Sequence, residues 1–448
     1  MPITWRIVFS AFTAALAGFL FGFDTVVISG AEQKIQSLWG LSSGMHGIAM
    51  GSALYGTVVG SLCGGWPTDR FGRRATLRWI GILYLASAVG AALAGNVYEL
   101  IAARWVGGLG IGISTIAAPL YIAEIAPPRY RGRLAGLFQL NIVLGIVIAY
   151  LSNALLADAG ENAWRWMMGV AAFPSLLYAL LCLRIAESPC WLFDRMRDRT
   201  AAAAALRFIY PQSSQAQVDG ILQNMSVTEP STAIKTRFWS KALQAPILLA
   251  IMIALFNQLS GINAILYFAP RIFRLTGLSQ QAALLQSVGI GVTNLLFTFI
   301  GLWLIDRVGR RTLLYVGSVG YIASLSTVSW AFTTLNYSWV PACIFVFIAA
   351  HAVGQGAVIW VLISEIFPTQ FRAQGQTLGS FTHWAMAALV TSVFPSMVAR
   401  FAPGHVFAFF SAMMILQLIW VQTMVVETKN LSLEAVTQRL KSVWYSGS

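Results

Sequence analysis

The chain has 448 residues, 57% of them hydrophobic and only 10% charged, with a mean hydropathy of +0.70. A water-soluble domain of this size carries far more surface charge, so the solvent is expected to be a lipid bilayer. The net charge of +13 is not a nucleic-acid signature, because the cations gather on one side of the apolar runs.

Twelve apolar runs approach the ~20 residues that a bilayer needs. They lie at 8–29, 46–66, 77–95, 101–124, 134–155, 166–186, 244–268, 284–305, 313–333, 339–364, 374–398 and 405–426. Met1 to Val8 lacks a signal-peptide cleavage site, so the first run is expected to stay as a span. Of the 29 Lys and Arg, Lys34, Arg165, Arg271, Arg274 and Arg400 fall in loops on one side, and Arg104 falls within a span. All the others share the side of both termini, which the positive-inside rule makes cytoplasmic. The four cysteines show no metal-ligand spacing, and a disulfide framework is not expected of cysteines inside spans. No metal and no cofactor is implied.

The first run carries Gly18, Gly22 and Asp24, and Gly30 follows at its end. Gly18 and Gly22, four apart, allow another helix to approach closely. Asp24 is the one acid read as lying well inside an apolar run, where an unpaired carboxylate costs several kcal/mol. It is either a structural hydrogen-bonding group or a proton carrier in a transport path. Arg104 opens the glycine-rich fourth run, and Asp24 is the only mid-span acid available to it.

Amides inside spans are Gln139 in run 5, Asn257, Gln258 and Asn263 in run 7, and Asn294 in run 8. They suit either a polar ligand or hydrogen bonds between helices. Ser260-Gly261 permits a local helix break that would open backbone groups to a cavity. Trp360 in run 10 and Trp384 in run 11 are aromatic faces for stacking, and His383 is open to a structural bond or ligand contact. Residues 187–243 are polar and are expected to form short amphipathic helices on the cytoplasmic face.

Three motifs recur in the same order at a spacing of about 240 residues. Asp69-Arg70-Phe71-Gly72-Arg73-Arg74 returns as Asp306-Arg307-Val308-Gly309-Arg310-Arg311; Glu124 with Arg131 returns as Glu365 with Arg372; and Glu187-Ser188-Pro189 is echoed by Glu427-Thr428-Lys429. The chain is therefore expected to be all-α, with a six-helix half at 1–186, linker helices at 187–243, a second six-helix half at 244–426 and a cytoplasmic tail at 427–448. The repeated acids and arginines either only orient the spans or latch the halves together when the cytoplasmic side is closed.

Two parallel six-span halves are the architecture of the major facilitator superfamily. Together with Phe21-Gly22-Phe23-Asp24-Thr25 and Gln258-Leu259-Ser260-Gly261-Ile262-Asn263, the motifs make the chain resemble a sugar porter of that superfamily. The resemblance implies monosaccharide transport by a multi-pass protein of the cell membrane, functional as a monomer, with sugar, proton and lipid as partners and no nucleic acid. It marks Gln139, Gln258 and Asn263 as sugar contacts. Proton-coupled members keep the Asp and the Arg found at 24 and 104, while uniporters carry Asn at the first position, so proton symport is expected and facilitative uniport is the alternative. A sugar sensor would need an output region, and an intramembrane enzyme a nucleophile or metal constellation; neither is evident. Three departures stand out. Asn257 replaces a glutamine, Gly356-Ala357-Val358-Ile359-Trp360 lacks two prolines and should kink less, and Cys190 replaces an arginine of the cytoplasmic network.

Overall fold

The computed structural model describes residues 3–127, 130–227, 237–431, 435–436, 438–440 and 444, all helix and connection with no strand among them. The expected linker and tail are thus described only in part. In chain order the helices are α1 Trp5–Leu38, α2 Ser43–Cys63, α3 Gly65–Phe71, α4 Arg73–Leu93, α5 Val97–Ile125, α6 Arg131–Leu156, α7 Ala163–Gly169, α8 Ala172–Leu181, α9 Pro189–Asp194, α10 Arg199–Ile209 and α11 Gln215–Val227. There follow α12 Gln244–Leu259, α13 Ile262–Arg274, α14 Gln280–Val308, α15 Arg310–Thr333, α16 Val340–Val353, α17 Gln355–Ile366, α18 Arg372–Arg400 and α19 Pro403–Met424.

Among the described residues, ten helices are long and apolar enough to cross a membrane, counting α12–α13 and α16–α17 as one each; the bent pair α2–α3 makes eleven. The run expected at 166–186 is instead divided into α7 and α8. Pro174 has no N–H to give the Val170 carbonyl, which accepts from Phe173 N at 3.3 Å, so the helical ladder breaks there. Large apolar side chains such as Leu93, Leu155 and Phe173 are about three-quarters exposed, as a lipid-facing surface requires.

The chain forms two compact units. The first comprises Met1–Thr25, Tyr55–Ala149 and Arg165–Ile234; the second comprises Val26–Leu54, Tyr150–Trp164 and Lys235–Ser448. Within the first, glycines let backbones meet. A side chain at Gly22 would collide with the Ile142 carbonyl of α6, and one at Gly18 would lie 2.5 Å from the Phe138 oxygen, so the close approach expected on that face of α1 is present. On the linker, Ala202 and Leu206 of the short helix α10 pack on Val218 and Leu222 of α11. Within the second unit α12 lies along α18, and α15 along both α16 and α19.

Two interruptions shape the second unit. Between α12 and α13, Gly261 takes the left-handed conformation (φ +84), which glycine adopts without strain. Ser260 Oγ donates to Asn257 O at 2.6 Å and accepts from Ile262 N at 3.3 Å, so the break expected at Ser260-Gly261 is capped by its own serine. Between α16 and α17 the helix is interrupted at one residue, Gly354 (φ −86, ψ −100). A Cβ there would sit 2.8 Å from Gly317 Cα and 2.9 Å from Ala350 O. The missing prolines therefore do not leave this helix continuous.

Candidate functional site

Asp24 on α1 and Arg104 on α5 lie together in the first unit. Arg104 is fully buried and Asp24 nearly so. Arg104 Nη1 is 3.5 Å from Asp24 Oδ1, and Nη2 is 3.5 Å from Oδ2 and 3.2 Å from the Asp24 carbonyl. The guanidinium thus straddles side chain and backbone without a tight fork. Space beside it depends on Gly107, one turn along α5: a Cβ there would meet Ser87 Oγ at 2.4 Å and lie 3.8 Å from Asp24 Oδ1. A carboxylate beside a cation holds its charge, and the same carboxylate withdrawn into apolar surroundings takes a proton. The arrangement can therefore couple a helix movement to proton uptake.

In the second unit the α12–α13 break gathers the amides of that span. Asn263 Nδ2 donates to Gln258 Oε1 at 2.7 Å, and Gln258 Nε2 donates to Asn257 Oδ1 at 3.0 Å. Gln258 Nε2 also lies 3.1 Å from His383 Nε2 of α18. His383 stacks obliquely on Trp360 (centroids 5.1 Å apart) and edge-on against Trp384 (4.6 Å). Asn257, Gln258, Asn263, His383, Trp360 and Trp384 are therefore one cluster. Asn294 is buried on α14, where it accepts from Thr298 Oγ1 at 3.4 Å within its own helix; no described hydrogen bond joins it to the cluster. Gln139 is half-buried on α6, in the first unit. A set of paired donors and acceptors beside aromatic faces can hold a polyol, whose hydroxyls need both and whose C–H faces need a ring.

The repeated motifs build the same network twice. Arg73 Nη2 is 2.8 Å from Glu124 Oε1, and Arg73 Nη1 is 3.3 Å from Asp69. Arg310 Nη2 repeats this with Glu365 at 2.8 Å and Asp306 at 3.1 Å. Glu187 sits at the N-terminus of α4, accepting from Arg73 N (2.9 Å) and Arg74 N (3.0 Å), and Glu427 accepts from Arg310 N (2.9 Å) and Arg311 N (3.0 Å) at the N-terminus of α15. Such a carboxylate satisfies orphan amides and complements the helix dipole. Gly72 (φ +90) and Gly309 (φ +102) take the same conformation, and a Cβ on either would lie 2.5 Å from its glutamate. Each network is built inside its own unit.

Burial pushes the Glu187 carboxyl above its usual range against the opposing pull of the backbone amides and Arg73, and burial pushes the Cys190 thiol up to about 11. With cysteine at 190, Arg195 takes an ion pair with Asp69 at 3.2 Å on the surface. Arg70 and Arg307 are exposed, with Arg307 over the Trp303 ring at 3.9 Å. Arg131 donates to Ala123 O at 3.1 Å, and Arg372 begins α18. Among the described ion pairs, Glu124 and Glu365 are held by Arg73 and Arg310.

Sequence reading missed a second buried acid. α1 continues past residue 29 to Leu38, and Glu32 on it is fully buried, paired to Arg271 of α13 at 2.7 Å and 3.0 Å and 3.1 Å from His46 Nε2 of α2. It also missed Gln355 and Gln417, both fully buried. The legible signal was one glutamine in each of two apolar runs.

A family model described as "Sugar (and other) transporter" matches residues 10–440. The arabinose-proton symporter of Bacillus subtilis is 34% identical over 431 residues, covering 94% of this chain and 92% of that one. The D-xylose-proton symporter of Escherichia coli is 31% identical over 470 residues, covering 96% of this chain and 94% of that one. Among solved structures, a partially occluded inward-open conformation of the xylose transporter XylE from E. coli matches with a TM-score of 0.84 at 29% identity, covering 96% of this chain and all of that one.

Proposed function

This chain belongs to the sugar transporter family, and from that premise we propose that it carries a monosaccharide, a hexose or a pentose, across a cell membrane together with a proton by alternating access. The observation that carries this reading is the buried Asp24–Arg104 pair, held at 3.5 Å between α1 and α5. A structural ion pair in apolar surroundings would be worth most if closed tightly. A loosely held one separates at small cost and leaves a carboxylate ready to be protonated. That relatives are named for proton symport of arabinose and of xylose supports the same reading.

In the proposed cycle the halves 1–186 and 244–426, joined by the linker 187–243, alternate about a sugar held by Gln139 of the first half and by Asn257, Gln258, Asn263, His383, Trp360 and Trp384 of the second, with Asn294 alongside. The amides bind ring hydroxyls and the indoles take the C–H faces. The duplicated arginine–glutamate networks latch the cytoplasmic side when it is closed. Asp24 leaves Arg104 in one orientation and takes a proton, then gives it up on returning. One proton falling through about 100 mV releases roughly 2.3 kcal/mol, enough for a sugar gradient of about 50-fold. The one-sided cations support cytoplasmic termini by the positive-inside rule, with the chain working as a monomer in lipid.

Uptake of a sugar panel into energised vesicles, with and without a protonophore, tests the reading. Accumulation of at least one sugar that collapses to simple equilibration with the protonophore is expected. Uptake of none of them, or uptake indifferent to the protonophore, contradicts it; the second outcome would leave a facilitative uniporter.

A further inference from the structure

The cluster at the α12–α13 break does not end at Asn257. Asn257 Nδ2 donates to Gln355 Oε1 at 3.4 Å; Gln355 Nε2 donates to Gln417 Oε1 at 2.7 Å; Gln417 Nε2 donates to Ser318 Oγ at 2.8 Å; and Ser318 Oγ donates to the Leu314 carbonyl at 2.7 Å. With the bonds from Asn263 to Gln258 and from Gln258 to Asn257, these form one continuous chain running from α13 through α12, α17 and α19 to α15, with a side branch from Gln258 to His383. Every side chain between Asn263 and Ser318 is 2% exposed or less, and Asn263 alone reaches 8%. The chain also has a direction, since each amide nitrogen donates to the next oxygen.

That direction follows from the far end. A hydroxyl has one proton, and Ser318 spends it on Leu314, so only lone pairs remain for Gln417. Gln417 must turn its NH2 toward Ser318 and hence its oxygen toward Gln355. The same constraint passes along to Gln258 and Asn263. At the near end it leaves Asn263 Oδ1 as a terminal acceptor, while the second N–H of Gln258 points at His383. Hydrogen bonds in series in a dry interior polarise one another and resist individual flips.

We propose that Ser318, Gln417 and Gln355 form a buried relay that sets which way the amides of Asn257, Gln258 and Asn263 face, and so determines which pattern of monosaccharide hydroxyls the site accepts. The three are positioning residues that touch no sugar. The inference rests on the reading of the amide cluster as the sugar subsite. Gln355 is also the residue directly after the Gly354 interruption, so the relay ties the orientation of the subsite to the one irregular point of the α16–α17 helix.

The test uses the full-length protein in vesicles, with D-glucose, D-galactose, D-xylose and L-arabinose as probes. Ser318→Ala removes the anchor with the loss of a single oxygen, and Gln417→Leu cuts the relay at its next member. For the sugar the wild type prefers, each variant should raise KM about tenfold, a net hydrogen bond or slightly more, with Vmax unchanged. The preference between that sugar and its epimer should shrink in the same variants, because amides free to flip no longer distinguish a donating hydroxyl from its inverted partner. Unchanged KM and unchanged preference in both variants overturn the relay while sugar transport itself stands. A fall in Vmax alone, at unchanged KM and preference, also overturns it, since that is what a packing role would give. A wild-type protein that takes up none of the four sugars overturns the transport reading and the relay with it.

Discussion

The separation of 3.5 Å between Arg104 and Asp24 is longer than the roughly 2.7–2.9 Å of a tight charge-assisted bond, whereas Arg271 holds Glu32 at 2.7 Å in the same helix α1. One buried acid of α1 is thus clamped and the other loosely held, which is the difference expected between a structural group and a titrating one. Among the amides, Gln258 has the densest set of partners, bonded to Asn257, Asn263 and His383. Gln258→Leu should weaken sugar binding by about 1–3 kcal/mol, the cost of leaving buried partners unpaired. Equilibrium binding followed by indole fluorescence would measure it, and an unchanged affinity would remove Gln258 from the sugar site. Asp24, Arg104, Gln258 and Asn263 were legible because an ionisable or amide group in an apolar run announces itself. Glu32 was not, because the hydrophobic run fades near it, and its neutralising partner Arg271 stands 239 residues away.

At the scale of the element, the two Asp-Arg-x-Gly-Arg-Arg loops show why a motif repeats. Each needs a glycine at positive φ, an arginine reaching an acid of a neighbouring helix, and a helix N-terminus capped by a distant glutamate. Arg310→Ala would leave the part-buried Glu365 without its cation and cost about 1–3 kcal/mol, as for a lost hydrogen bond to a charged group. If the network closes the cytoplasmic side, cavity cysteines should then label faster from that side; an unchanged labelling rate would leave these loops a topological role only. Glu187 supplies a pH test. Its carboxyl is raised above the ordinary 4.5 by burial, so its contribution to stability is full below that value and is lost as pH rises through the raised one. Wild type should therefore gain on Glu187→Gln in melting temperature as pH falls from about 8 toward 4.5; a constant difference would contradict the raised carboxyl. The α12–α13 break was readable from Ser260-Gly261. The interruption at Gly354 was not, because the expected signal was proline, whereas the determinant is the approach of Gly317, a contact between helices that no local pattern reports.

At the scale of the whole molecule, hydropathy, the one-sided cations and the internal repeat carried the fold class, since a bilayer forces every backbone group into helices and so makes spans countable. What they could not carry was the wiring inside the second unit. Gln355 and Gln417 each stand in sequence as an amide in an apolar run, and only folding brings them and Ser318 into a chain of 2.7–2.8 Å contacts. The proposed transport cycle depends on both levels, with two repeats to alternate and a site whose polarity is fixed before the sugar arrives. Its central claim is that Asp24 carries the proton, and the most direct measurement is sugar transport by Asp24→Asn in vesicles with an imposed proton gradient. This variant keeps the size and polarity of the side chain but cannot titrate. It should still bind sugar and exchange it down a gradient, because the amide cluster is untouched, while losing accumulation against a gradient and the alkalinisation that accompanies sugar entry. Uphill accumulation equal to that of the wild type would contradict the account and return Asp24 to a structural role.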